Sequence, residues 1–172
     1  MKIKNNYSRI AVIDADYITY IAVNANKEKD KYGNPIKKDG KFIYYDKTED
    51  EAKDTVDTYL NTLLTTMKAD GYILCLTKGK SFRVSVDSTY KENRKKLEKP
   101  LHYDAVRQHM VDKYKASYCE LLEADDMVNI IKNELENVMV VAVDKDILLS
   151  TEGKFFDARR GQLCELEVTK EE

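Results

Sequence analysis

No stretch of this 172-residue chain is apolar for long enough to span a bilayer. The opening Met1-Lys2-Ile3-Lys4-Asn5-Asn6 leads into no apolar segment of the signal-peptide kind. Cysteine is scarce: Cys75, Cys119 and Cys164 are too widely spaced for a zinc motif and form no even disulfide framework. Each sits in an apolar or strand-like setting, which predicts reduced core or strand residues. There is no internal repeat and no low-complexity tract. Membrane helices, disulfide scaffolds and repeat arrays are thereby excluded, and a single cytosolic domain is expected.

A large excess of one charge is also missing. Net charge is −2, which by itself says nothing about nucleic acid. The distribution says more. From Lys78 to Lys99, eight basic residues face three acids, for a net of +5. From Cys119 to Glu152, nine acids face two lysines, for a net of −7. Two solvated faces of opposite sign would give this pattern. So would an enzyme that grips phosphates beside an acidic, metal-binding pocket.

Short apolar runs alternate with helical patterns. Residues 9–13, 72–76, 117–121 and 138–143 read as strands, with 154–158 and 162–168 as the last two. Helices are expected from Asp16, over 48–69 behind a Thr48/Glu51 capping box, over 102–114 and over 123–136. The last of these would bury Met127, Ile130, Ile131 and Leu135. Residues 27–39 read as a surface loop or hairpin with turns at Tyr32-Gly33-Asn34-Pro35 and Asp39-Gly40. The alternation predicts an α/β fold with a central, mainly parallel twisted sheet flanked by helices. Sites in such folds lie at the carboxyl ends of the strands.

Asp14 closes the first strand, Glu123-Ala124-Asp125-Asp126 opens a helix after another, and Asp144-Lys145-Asp146 follows the strongest strand. Any one of these acids can serve a helix N-terminus. Capping needs one acid, however, and this edge would hold six. Such a pocket is unfavourable unless protons or hard cations neutralise it, and Mg²⁺ or Mn²⁺ suits an all-oxygen set. In the basic stretch, Lys91, Arg94 and Lys95 fall on one helical face, where adjacent phosphates can be held. Tyr90 can stack on a terminal base. A lysine-rich solvent-facing helix is the plainer reading of the same residues.

Taken in order, Val12-Ile13-Asp14-Ala15-Asp16, Gly79-Lys80-Ser81-Phe82-Arg83, Tyr90-Lys91-Glu92-Asn93-Arg94, Glu123-Ala124-Asp125-Asp126 and Asp144-Lys145-Asp146 resemble the motifs of the 5′-nuclease (flap endonuclease) superfamily. The pattern, with Lys99-Pro100, is most similar to the 5′→3′ exonucleases of tailed phages, over about residues 8–158. The resemblance implies a PIN-like three-layer fold. It implies hydrolysis of DNA phosphodiesters at 5′ ends, flaps or nicked duplex, leaving 5′-phosphate and 3′-hydroxyl, in replication, repair or recombination. It implies Asp14, Glu123, Asp125, Asp126, Asp144 and Asp146 as ligands of two Mg²⁺ or Mn²⁺ ions, and Lys91 and Arg94 as catalytic contacts to the scissile phosphate. Arg83, Tyr90 and Lys95 would touch substrate. The implied location is the cytoplasm of a bacterial cell or phage-infected host.

Two departures stand out. The family carries an Asp just after the second strand, where this chain has Leu76-Thr77-Lys78-Gly79; Asp16 is the nearest acid to compensate. The family's helix–three-turn–helix region, which grips duplex DNA, would follow Glu172. A separate protein or missing C-terminal region would then supply duplex binding. A catalytically weakened module binding nucleic acid or a replication partner, or a PIN-like ribonuclease, are the competing expectations.

Overall fold

The computed structural model describes residues 2–79, 81–89, 98–144 and 153–158, and the backbone of 164–168. In chain order the elements are β1 (Ile10–Asp14), α1 (Asp16–Val23), β2 (Asn26–Lys27), β3 (Lys37–Lys38), β4 (Lys41–Phe42), β5 (Tyr44–Tyr45) and α2 (Glu49–Met67). There follow β6 (Gly71–Cys75), α3 (Arg83–Val86), α4 (Tyr103–Tyr114), α5 (Ala124–Glu134), β7 (Val138–Ala142), β8 (Gly153–Asp157) and β9 (Cys164–Val168).

The main sheet has the order β6-β1-β7-β8-β9. The first four strands are parallel and β9 runs antiparallel to β8. Because side chains alternate across a strand, the continuous apolar runs divide between two cores. Ala11, Ile13, Leu74, Met139, Val141 and Phe156 face Ile18, Val56, Leu60, Leu63, Met67, Val106 and Met110 of α1, α2 and α4. Ile10, Val12, Cys75, Val140, Ala142 and Phe155 face Ala124, Met127 and Val128 of α5. Helices on both faces of a parallel sheet give the three-layer α/β architecture that the sequence predicts.

The long helix α2 starts as expected. The Glu51 amide donates to Thr48 Oγ1 (3.2 Å) while the Thr48 amide donates to Glu51 Oε2 (2.8 Å). Lys68, in the left-handed region at φ 51°, ends it. Asp70 then ties the chain back to β1 by accepting from the Ser8 and Arg9 amides, both at 2.8 Å.

Three sequence expectations change. Residues 117–121 form no strand; Ser117 and Glu120 make only isolated parallel bridges to Cys75 and Lys78. Cys119 is accordingly exposed, whereas Cys75 is buried. Helix α5 packs through 124, 127, 128 and 131, which turns Ile130 out to half exposure. The sequence also predicts a short helix from Asp144 to Ser150, and residues 145–150 lie outside the described residues. Among the described residues no helix is long and apolar enough to cross a membrane.

Candidate functional site

The carboxyl edge of the sheet collects acids from separate segments. Asp14 is the last residue of β1 and is half-buried. The Asp16 amide, opening α1, donates to Asp14 Oδ1 at 3.1 Å. Asp125 lies in the first turn of α5, and Asp144 follows β7 after one intervening residue. Burial, then the charges of Asp16, Asp125 and Asp144, push the Asp14 carboxyl up to about 7 from its ordinary 3.8, against a smaller downward pull from the Asp16 amide. Asp125 is likewise raised, by burial and then by Asp126 and Glu123, with its hydrogen bond from the Asp126 amide and Arg83 acting the other way. A carboxylate raised by burial and by other carboxylates is the electrostatic signature of a site completed by a cation or a proton.

Two arginines hold the rest of the edge. Arg83, on the short α3, grips Asp126 with both terminal nitrogens at 2.6 and 2.8 Å. Its guanidinium also lies 3.6 Å from the buried Glu123 carboxylate. The loop carrying it is fixed by the Phe82 amide donating to the Leu121 carbonyl (2.8 Å) and the Arg83 amide donating to Ser81 Oγ (3.2 Å). Arg107, from α4, donates to Asp16 Oδ1 at 2.7 Å and to the Thr77 carbonyl.

Thr77 is the junction. Its amide donates to Asp16 Oδ1 (3.1 Å), and its hydroxyl accepts the Ala124 amide at the start of α5 (2.9 Å). That hydroxyl belongs to the Leu76-Thr77-Lys78-Gly79 segment that follows β6. It satisfies one orphan donor of a helix N-terminus and ties together the ends of β6, α1, α4 and α5. Neither Thr77 nor Arg107 stands out in the sequence. Arg107 is 91 residues from Asp16 along the chain, and no local pattern announces the pair.

The predicted residues sort as follows. Asp125 and Asp144 come within electrostatic reach of Asp14. Glu123 and Asp126 are turned toward Arg83. Arg83 therefore faces the acids themselves. Tyr90, Lys91, Arg94, Lys95 and Asp146 lie outside the described residues. Among the described residues no three His, Cys, Asp or Glu side chains converge closely enough to hold one ion. The donor set nevertheless fits a hard divalent cation: it is all oxygen, partly buried and mutually repulsive. To share one ion, Asp14, Asp125 and Asp144 would have to draw closer than they stand here.

No family model and no curated protein matches this chain. Solved structures do. The chain is similar to the T5 D15 protein co-crystallised with metal ions, at TM-score 0.55 and 15% identity, covering 90% of this chain and 56% of the other. A lysine-to-alanine mutant of the T5 5′-exonuclease matches at TM-score 0.54 and 15% identity, over 90% and 52% of the two chains. A variant of the bacteriophage T5 D15 flap endonuclease, in a pseudo-enzyme-product complex with DNA and metal ions, matches at TM-score 0.52 and 16% identity, over 90% and 57%. The chain thus spans a little over half the length of these structures. The likeness shows a shared fold with these T5 structures.

Proposed function

We propose that this chain is a divalent-metal-dependent 5′-nuclease domain that hydrolyses DNA phosphodiesters at 5′ ends or flaps. The observation that carries the reading is the set Asp14, Asp125 and Asp144, brought to one sheet edge from separate segments, where burial and the neighbouring carboxylates push Asp14 up to about 7. Mg²⁺ or Mn²⁺, probed as a pair of ions, would supply Lewis acidity and an activated water there. The chain's own residues do the rest. Asp14, Asp125 and Asp144 anchor the charge, with Asp146 proposed beside them. Glu123 and Asp126 join once Arg83 is drawn off by a phosphate. Lys91 and Arg94 are assigned to the scissile phosphate, and Tyr90 and Lys95 to flanking nucleotides. The products would be 5′-phosphate and 3′-hydroxyl ends. A region beyond the length shared with the T5 structures, or a partner protein, would add the grip on duplex DNA.

The test is cleavage of a 3′-labelled 5′-flap DNA with Mg²⁺, with Mn²⁺ and with EDTA, alongside Asp126→Ala. Metal-dependent products that disappear in the variant are expected. No cleavage by folded protein in any metal would overturn the reading for this chain alone.

A second reading has its own observation. The segment after β6 holds no acid, its Thr77 hydroxyl accepting the Ala124 amide instead, and Arg83 already neutralises Asp126. Those features suit a nucleic-acid-binding module of the same fold. That module would bind DNA more tightly when Asp14 or Asp125 is neutralised and would cut nothing.

A further inference from the structure

Between α1 and α2 the chain makes an arm, residues 26–45, that the site above does not use. It is a twisted ribbon. Lys37 pairs with Phe42 and Lys38 with Lys41 across a two-residue turn, and Asn26 pairs with Tyr45 and Lys27 with Tyr44. Both turn residues, Asp39 and Gly40, have positive φ (52° and 77°), the geometry that two-residue hairpins favour. Asp30 closes a second turn by accepting from the Tyr32 and Asn34 amides at 2.8 and 2.9 Å.

The arm buries little and displays much. Within residues 26–45 six lysines face three acids. The four aromatic residues there, Tyr32, Phe42, Tyr44 and Tyr45, are 77%, 37%, 55% and 40% exposed. Lys27 and Lys37 are the cross-strand partners of Tyr44 and Phe42, so all four side chains share one face of the ribbon. The ammonium groups of Lys27 and Lys37 stand 4.0 and 4.6 Å from the Phe42 ring centre. Phe42 ends β4 and Tyr44 begins β5, with Ile43 between them, so their Cα atoms stand no more than about 7 Å apart. Successive bases of an extended single strand can each meet a ring at that spacing. The adjoining lysines are then placed for its phosphates.

The arm also lies on the right side of the molecule. Asp16, at the acid edge, meets Arg107, while Tyr20, one turn further along α1, meets Tyr103, one turn earlier in α4. Tyr17 meets Tyr59, while the Ala22 carbonyl accepts from Lys47 just before α2 begins. Helix α1 therefore runs antiparallel to α2 and α4, and so continues in the direction of β1 beyond the carboxyl edge. Eight residues of helix carry it about 12 Å outward. The arm begins there.

We infer that the 26–45 arm is a binding platform for single-stranded nucleic acid, with Phe42 and Tyr44 as stacking rings and Lys27 and Lys37 as phosphate contacts. As a path toward the acid edge this rests on the nuclease reading; as a binding surface it does not. An acidic peptide would satisfy the lysines but would leave the paired rings without a purpose.

The experiment is fluorescence anisotropy of a labelled oligothymidylate of roughly a dozen nucleotides, with the 172-residue protein in EDTA so that no cleavage intervenes. Phe42→Ala/Tyr44→Ala should weaken binding by about tenfold or more for each ring. Lys27→Glu/Lys37→Glu should weaken it and flatten the salt dependence by about 0.7 in log–log slope for each phosphate that is no longer neutralised. These side chains are surface-exposed, and the thermal midpoint should hold in both variants. Unchanged affinity in the ring variant, or no binding by the parent protein, would overturn the inference. Competition by polyglutamate as effective as by unlabelled oligothymidylate would overturn it in favour of an acidic protein partner. A failed flap-cleavage assay with ring-dependent binding intact would sink the nuclease reading alone.

Discussion

Two groups of carboxylates in this chain are held in opposite ways. Asp57, on α2, accepts from Lys113 Nζ (2.6 Å), the Tyr114 hydroxyl (2.6 Å) and His109 Nε2 (2.7 Å), all from α4. Burial works to raise its pKa, but those hydrogen bonds outweigh it and hold the group at about 2. Asp70 is also held at about 2, by amide and hydroxyl donors from Ser8 and Arg9. Asp14 goes the other way, up to about 7, because burial and three other carboxylates oppose its charge. The first group has more donors than charge, and it fastens α2 to α4 and to β1. At Asp14, among the described residues, burial and neighbouring charge outweigh the one amide donor. A fold keeps such an arrangement at a cost to its own stability, which agrees with the cation site proposed there.

The sharpest way to break this contrast is Asp14→Asn. On the nuclease reading, cleavage should fall by a factor on the order of 10²–10³. The metal-free protein should become more stable. Asp14 has a folded pKa near 7 and an unfolded one near 3.8. Between those values the folded state retains a proton that the unfolded chain has released, so stability falls as pH rises across the window. Asparagine removes that loss. Urea unfolding in EDTA at pH 8 should favour the variant by on the order of 2–4 kcal/mol, and the difference should close near pH 4. A variant less stable than its parent at pH 8 would mean that Asp14 is a structural acid like Asp57.

Asp57→Ala is the converse. It strands three donors at a partly exposed position, and should cost about 1–3 kcal/mol at pH 7. Here the folded pKa is depressed. The parent's advantage is present above about pH 4 and disappears as pH falls toward 2, a trend that urea titrations at several pH values would read. Cleavage and metal binding should not change.

Much of this contrast is legible in the sequence, but unevenly. The acids of the edge announce themselves because strand ends and helix starts have local patterns: the apolar run before Asp14, the Glu123-Ala124-Asp125-Asp126 cluster and the β7 run before Asp144. The capping box at Thr48 and Glu51 is readable for the same reason. Asp57 is not, since its donors come from a helix more than 50 residues away. Arg107 and Thr77 escape for that reason too. The 117–121 segment misleads because its alternating composition suits a strand, whereas the chain there makes only isolated bridges, to Cys75 of β6 and to Lys78 beyond it. Ile130 misleads because several helical registers fit the same apolar residues, and only packing against Val12, Val140 and Phe155 selects one.

Arg83→Ala sharpens the comparison from inside the acidic group. Arg83 supplies Asp126 and Glu123 with the compensation that Asp14 lacks. Its removal should destabilise the metal-free protein by about 1–2 kcal/mol, the side chain being partly exposed. Mn²⁺ should recover that loss, because a divalent ion can then take the carboxylates that the guanidinium held. Thermal midpoints with EDTA and with Mn²⁺ measure both parts. A loss that Mn²⁺ does not recover would place Asp126 and Glu123 with the structural acids.

The smallest effect expected is at Thr77, where the two modes of holding meet. Its hydroxyl accepts the Ala124 amide, and its own amide donates to Asp16, so one side chain anchors α5 while the backbone steadies an acid. Thr77→Val keeps the shape and the backbone donor and removes only the acceptor. The Ala124 amide is then left to water or to nothing, at a cost of about 1 kcal/mol. Thr77→Ser should restore most of it. Because valine adds no charge, the pH dependence assigned to Asp14 should persist with the same midpoint in both variants. If Thr77→Val instead shifts that midpoint, the hydroxyl is setting the position of Asp14 as well as that of α5, and the boundary between scaffold and site runs through this residue.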